Sequence, residues 1–428
     1  GSIPIFYNSK AKIISTFHDD CIFDNLNLDD VGFSIYSDFG FSGLGTSPFQ
    51  DVNQLRFYST VTFSPEGIFI EEKKDPALDI IKQDKEVSPN YLNEKIKHYF
   101  DEHIDREKDI IIPLSGGYDS RYLTLLLKDY SPTTFTYGYN LFQSRSWEVL
   151  NAKKVANSLK LNWNHVLLSD SFQWINEWHN IYGSSTHLHG MYQMEFYSKI
   201  KKSPGSYLIS GILGDLWLQD KHVTSITSPE DIAKLSLSYG MNLSSVLKSK
   251  LHINLYAKLY SENKDLFQCQ KYLNIMGGRT KLTLLSYLMS TPSYFGFNAL
   301  TPFLNFDIVN AMLSIKDRSR LWQENLFETH KIGGFNKKIL SRGNTLYERN
   351  FKKYDFSKNE INYDKYEKYL NLEQLKKNIQ TVEQLSSFNL LKSIFSTSKG
   401  LRKIFNYKNK MTCFLAIVAI EKTIKNNN

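Results

Sequence analysis

IIIPLSGGYDSR, residues 110–121, sets an apolar run directly against Ser-Gly-Gly and follows it with an acid and a second hydroxyl. A strand that ends in two glycines and leads into a helix exposes backbone N–H groups at the helix N-terminus, where those donors and the helix dipole favour phosphate. Glycine also lets a phosphate approach the main chain closely. Ser115 and Ser120 add hydroxyl donors. Asp119 is the odd member, because a carboxylate beside a phosphate repels it. A magnesium ion between the two resolves the conflict, since both offer the hard oxygens that this cation takes. No Gly-Lys-Ser/Thr follows, so the stretch is not a Walker loop, and without a third glycine it is not a dinucleotide fingerprint.

Outward from this turn the pattern alternates. Strand Ile110–Leu114 precedes a helix over Ser120–Lys128, and strand TTFTYGY (133–139) precedes helix SWEVLNAKKVANSL (146–159). Strand WNHVLLS (163–169) leads into a mixed helical region, and SYLISG (206–211) closes the series. Alternation of this kind predicts an α/β fold, a parallel sheet with flanking helices and right-handed crossovers. Tyr91–Phe100 reads as a helix leading into the first strand. The segments IPIFYN, KAKIIST, GFSIYS and LRFYSTVTFSP within residues 1–75 read as strands, which makes a small β-rich N-terminal region. EEKKDPALDIIKQDKEVSPN (71–90) reads as a linker. Past residue 230 the chain reads as mainly helical, with no alternation that marks a strand.

A chain of 428 residues is expected to form two or three domains, and 41% hydrophobic content suits a globular protein. No apolar run is long enough to span a bilayer, and MTCFLAIVAI (411–420) reads as a buried helix. No signal peptide is visible, and the leading Gly-Ser reads as a cloning remnant that leaves the true start open. Cys21, Cys269 and Cys413 stand far apart, which argues for a reducing, cytoplasmic setting and against zinc or a disulfide framework. The net charge of +8 is spread along the chain. Its densest patch, STSKGLRK (396–403), reads as solvated surface, so no nucleic-acid partner is expected.

LSGGYDSR resembles the pyrophosphatase loop of the asparagine synthetase family, whose usual form is SGGxDS. The resemblance implies an adenine nucleotide alpha hydrolase-like (PP-loop) fold, with ATP and Mg2+ as cofactors. It implies cleavage of ATP between the α and β phosphates, adenylation of a carboxylate and attack by an amine. On this resemblance Ser115, Gly116, Gly117 and Ser120 cradle pyrophosphate. TFTYGYN resembles the family's second strand and places Tyr137 and Gly138, with Leu114, at the adenosine. LISGILGDLW (208–217) resembles the family's Ser-Gly-Glu-Gly-Ala-Asp-Glu segment. That brings Ser210 and Gly211 to the nucleotide and makes Asp215 the second magnesium carboxylate beside Asp119. LTPFLNFDIVNAML (300–313) resembles the Arg-x-Pro-Phe-Leu-Asp helix entry. The resemblance covers roughly residues 90–345 and divides the chain into a glutaminase-like remnant, 1–75, and a synthetase domain, 76–428. Within the latter, 110–215 is the nucleotide-binding core and 230–428 the mainly helical part.

The departures from the family pattern are informative. No cysteine lies near residue 1, and 75 residues are too few for a whole glutaminase domain. Nitrogen is therefore expected from a separate glutaminase, from free ammonia or from an organic amine. Ile212 stands where the family carries an acid, and Leu216 replaces the acid after Asp215, so the substrate is not expected to be aspartate. The family's late lysine aligns with Arg320 in RLWQENLFETHKIGGFNKKILSR, with Lys337, Lys338 and Arg342 behind it. Arginine clamps phosphate bidentately and stabilises developing charge, but it cannot act as a base. Arg320 is the favoured catalytic cation and Lys338 the second candidate. Sequences with this loop and a shortened front half resemble asparagine-synthetase-like proteins of bacterial surface-polysaccharide clusters. That implies a sugar acid as the carboxylate and polysaccharide-pathway enzymes as partners. A cyclase of the β-lactam synthetase or lasso cyclase kind, or a non-catalytic nucleotide-binding scaffold, are the alternatives. His187 and His189 read as loop histidines or as lining of a substrate pocket, His165 as a buried histidine, and Trp174, Trp178 and Tyr182 as core.

Overall fold

The computed structural model of the protein describes residues 3–23, 26–83, 86–138, 147–169, 171–218, 225–239, 251–316, 320–333 and 407–427. Near the N-terminus β1 (Phe6–Asn8), β2 (Ile13–Ser15) and β3 (Asn53–Gln54) form an antiparallel sheet in the order β2-β1-β3, and β4 (Ser59–Ser64) and β5 (Gly67–Glu72) form a hairpin. The alternation predicted from sequence is realised as four parallel strands, β6 (Ile110–Pro113), β7 (Thr133–Gly138), β8 (Trp163–Leu167) and β9 (Tyr207–Ile209), and a fifth, β10 (Asn298–Leu300), joins them. Their order is β10-β9-β6-β7-β8, with Ile111 opposite Thr133 on one side of β6 and opposite Leu208 on the other.

The three isoleucines of β6 show why a continuous apolar run suits this position. Ile110 and Ile112 face one core, and Ile111 faces a second core with Phe135, Val166, Phe196 and Leu208. A parallel strand covered on both faces buries both parities of its residues. The first face is covered by α1 (Asp30–Phe39), α2 (Pro89–His103), α3 (Tyr118–Leu126) and α4 (Trp147–Ser158). In α2 the Ser88 hydroxyl caps Tyr91 N–H, Pro89 occupies the first turn, and Leu92, Ile96 and Phe100 make the buried stripe.

Two expectations are corrected. GFSIYS is not a strand: it lies in α1, whose residues Gly32 through Phe39 are all buried. Asp29 caps its start by accepting from Gly32 N–H, and Gly40 ends it in the left-handed region at φ 80°. A helix buried on every side carries no amphipathic stripe, so chance alternation reads as a strand. The second correction is β10, which lies past residue 230. Its three residues, Asn-Ala-Leu, are too few to show a period of two. The stretch read as a linker contains a short helix, Ala77–Lys82, whose Ala77 and Ile80 enter the main core.

The apolar run at 411–420 lies in α5 (Tyr407–Asn426), and Ala416, Ile420 and Ile424 close a cluster with Phe6, Phe33, Tyr36 and Phe49. No helix among the described residues is long and apolar enough to cross a membrane. Asp19 ties this packing together. Its Oδ1 accepts from Ser184 N–H (2.9 Å) and contacts His18 Nδ1 (2.8 Å), and its Oδ2 accepts from Thr423 Oγ1 (2.6 Å). Burial opposes the ionised form, but His18, Ser184 and Thr423 together hold this carboxyl at about 2, below its ordinary 3.8. With a depressed folded value, its stabilisation is present above pH ~4 and is lost as pH falls toward 2. Asp19→Ala should cost about 3 kcal/mol at neutral pH by leaving these donors unpaired. It should also speed amide exchange across 407–426; unchanged exchange there would show that the helix is held without Asp19.

Candidate active site

The glycine turn starts where β6 ends. Leu114 is buried and donates its N–H to Phe135 O (2.8 Å). Ser120 then folds back onto the turn: its Oγ accepts from Ser115 N–H at 3.0 Å and lies 2.9 Å from Ser115 Oγ. Ser115 Oγ in turn accepts from Gly117 N–H (3.2 Å). Gly116 presses on α4, where a Cβ would stand 2.8 Å from that of Asn151. The two serines thus fix the loop and the start of α3 as one unit.

Asp119, in the first turn of α3, is where distant parts of the chain meet. Asp215 N–H donates to its Oδ2 at 3.0 Å, across 96 residues of sequence. This approach depends on glycine: a Cβ on Gly214 would fall 2.6 Å from Asp119 Cγ, and one on Gly211 would fall 2.9 Å from Ser120 N. Between them Leu213 takes φ 80°, a left-handed conformation that costs a branched residue on the order of 1 kcal/mol. Asp215 lies in the first turn of the short helix Gly214–Leu218.

Arg320 approaches from the other side. Its Nη1 lies 3.0 Å from Asp119 Oδ1, and the side chain is 3% exposed. Nε and Nη2 of the same guanidinium are buried without a hydrogen-bond partner. Arg320 also has φ 66°, at the N-cap of the helix Leu321–Thr329. Burial pushes the Asp119 carboxyl up; Arg320 pulls it down and Asp215 pushes it up again, for a net rise from 3.8 to about 6. Two adjacent carboxylates and a guanidinium with unused donors can hold a divalent cation together with an anion. Among the described residues no group of three or more His, Cys, Asp or Glu forms a complete metal cage. A cation here would therefore draw its remaining ligands from water and phosphate, as magnesium commonly does.

The clamp that carries Arg320 was not foreseen. Tyr118 OH donates to Glu324, and the Tyr118 ring lies 5.1 Å from the Arg320 guanidinium. Arg121 is buried, donates to Gly116 O (2.8 Å) and Ile332 O (3.1 Å), and stacks over Phe327 at 4.6 Å. Burial pushes Arg121 down to about 10, although Glu324 and Tyr118 oppose this. Arg121 stands in the glycine-turn stretch itself, which is the one signal that could have marked it; Glu324 carries none.

The other expected residues are distributed as follows. Gly138 ends β7, its carbonyl accepting from Leu168 N–H (2.7 Å). The Tyr137 ring packs on Phe196 (4.7 Å) and Tyr192 (5.8 Å), on the sheet face opposite α3. Ser210 is buried beside β10, donating its N–H to Leu300 O at 3.1 Å. His165 lies in register with Thr136, and its Nε2 is buried without a hydrogen-bond partner; burial lowers its pKa. His187 is buried, with its N–H on Gly40 O. Trp178 and Tyr182 are in the main core, with Trp174 packed against it. Lys337, Lys338 and Arg342, and the side chains of His189 and Cys413, lie outside the described residues.

Because the folded Asp119 value is raised, the stability tied to its protonation is full below pH ~4 and is lost as pH rises through about 6. The melting temperature of the wild type, relative to Asp119→Asn, should therefore fall between pH 4 and 6 and stay level above. A difference independent of pH would show that Asp119 titrates normally.

Residues 92–182 match the family model described as Asparagine synthase, a span that includes the glycine turn and Asp119 and ends before Asp215 and Arg320. No curated protein matches the chain. The matched stretch, which carries the glycine turn of the parallel sheet, is similar to asparagine synthases and supports, in general terms, an ATP-dependent amide-forming ligase.

Proposed function

We propose that the protein is an AMP-forming carbon–nitrogen ligase. The observation that carries this reading is the meeting of Asp119, Asp215 and Arg320 at the N-terminus of α3, beside the Ser115–Ser120 turn. ATP is a substrate here. Ser115, Gly116, Gly117 and Ser120 receive its β and γ phosphates, and the sheet ends at Leu114 and Gly138 border the adenosine. Asp119 and Asp215 would hold magnesium, which when bound neutralises phosphate charge.

In the first half-reaction a carboxylate oxygen of the acid bonds to the α-phosphorus. The bond to the β-phosphate oxygen breaks, and pyrophosphate leaves with that electron pair. Arg320 offers its unused N–H donors to the charge that develops as it leaves. In the second, an amine nitrogen bonds to the acyl carbon, the acyl C–O bond breaks, AMP leaves with the pair, and the surplus amine proton passes to water. Holding both reactants at one turn lowers the entropic part of the barrier. Cys21, the first cysteine of the chain, is buried, and burial pushes its thiol up to about 12, so it is no glutaminase nucleophile. The nitrogen donor in this reading is a separate glutaminase, ammonia or an amine, and the reaction is assigned to the cytoplasm. The sugar acid implied by the sequence is the first carboxylate to assay.

Incubation with ATP, magnesium and a panel of sugar acids and amines should release AMP and pyrophosphate in equal amounts; ADP as product would overturn the reading. Arg320→Ala should lower pyrophosphate release by about 10²–10³-fold, with partial recovery in Arg320→Lys. Affinity for Mn2+, read by electron paramagnetic resonance, should weaken as pH falls through about 6, where Asp119 takes up a proton.

A further inference from the structure

Behind the carboxylate pair lies a cavity of about 650 Å³ that the proposed chemistry has not used. Its lining includes residues 54–59 of the N-terminal region and Ile275, Gly278, Leu282 and Thr283 of the helix Gln270–Leu285. Trp217 and Phe303 are part of its lining. These two are joined, Trp217 Nε1–H donating to Phe303 O at 2.8 Å. Phe303 is also the partition between cavity and site. The Cβ position of Gly214 stands 2.6 Å from Asp119 Cγ and 2.8 Å from Phe303 Cε2, so carboxyl and ring edge are at most about 5.4 Å apart.

We propose that this cavity seats the nucleophile, and that the nucleophile is a primary amine on an apolar body of aromatic size rather than ammonia. The inference rests on the ligase reading above and deepens it. Three observations favour it. The volume is that of a small-molecule site, an order of magnitude beyond what a molecule the size of water or ammonia fills. The lining includes Phe57, Tyr58 and Phe306, each more than a third exposed, which is surface an apolar body would cover. The charges are already satisfied: Arg279 is paired bidentately with Asp75 (2.5 and 2.6 Å) and Arg56 with Glu72 (3.0 Å).

The last observation separates an amine from an acid. Among the described residues that line the cavity there is no carboxylate, and both arginines are paired; the other titratable groups there are His103, whose Nδ1 lies 2.7 Å from Tyr99 O, and the phenols of Tyr58 and Tyr99. Desolvation disfavours the charged form of any group placed there. A carboxylic acid would retain its proton and lose its nucleophilicity. An ammonium would shed its proton and become the free base that attacks an acyl carbon. Ser59 Oγ, buried without a hydrogen-bond partner, offers one neutral polar contact to the body of the molecule.

The test is direct binding to the full chain, with phenethylamine as probe and 3-phenylpropionate and ammonium as comparators. Saturable binding of phenethylamine is expected, tightening about tenfold from pH 7.5 to 8.5 and releasing about one proton per molecule bound, as read by calorimetry in buffers of different ionisation enthalpy. Leu282→Trp should weaken binding at least tenfold by filling the cavity, and Val309→Trp, from another wall, should do the same if the first variant folds poorly. Equal or tighter binding of 3-phenylpropionate, absence of proton release, or phenethylamine affinity unchanged in both tryptophan variants would each overturn the proposal. The AMP assay on the unsubstituted protein reports the ligase reading separately: amine binding without AMP formation would leave the cavity's preference standing and remove the reaction assigned to it.

Discussion

The carboxylate of Asp119 is the point on which the site depends. A buried anion is costly unless it is paired and hydrogen-bonded. Here the Asp215 amide satisfies one oxygen and the Arg320 guanidinium faces the other. Each partner arrives by a constrained route, the first through glycines that leave no room for a Cβ, the second through an arginine held at positive φ. Positive φ at Leu213 and at Arg320 stores strain at one place, and the parallel sheet with two buried faces holds that place. A rigid, partly uncompensated cluster of charge is preorganised for a polyanion and its counterion.

Much of this was legible in the chain. A strand, two glycines and an Asp-Ser pair carry their meaning locally, because each residue type answers a need of the same helix N-terminus. Asp215 was reachable only through the resemblance of LISGILGDLW (208–217) to the family's segment. What escaped was of two kinds. Elements too short or too completely buried, β10 and α1, leave no periodicity, since period arises only where one side of an element differs from the other. Contacts between side chains remote in sequence, such as Tyr118 with Glu324 across 206 residues, leave no mark on either neighbourhood. Tyr137 shows a third limit: a strand position is readable, but the face to which its ring turns is decided by what packs there.

The N-terminal region takes on a meaning that its resemblance to a glutaminase remnant does not suggest. Its residues 54–59 complete a cavity whose other walls belong to the helical part of the chain. Ile35, Phe39 and Phe41 join the same core as the parallel sheet. In this arrangement the region is an architectural wall, and its loss would open the cavity to water.

The bond between Asp19 and Thr423 spans 404 residues. During synthesis the first strands leave the ribosome long before Ala416, Ile420 and Ile424 exist to cover them. At about 5–20 residues per second, that interval is tens of seconds. Phe6, Phe33 and Phe49 stay exposed through it, so the nascent chain is a natural client for chaperones that shield hydrophobic surface until translation ends.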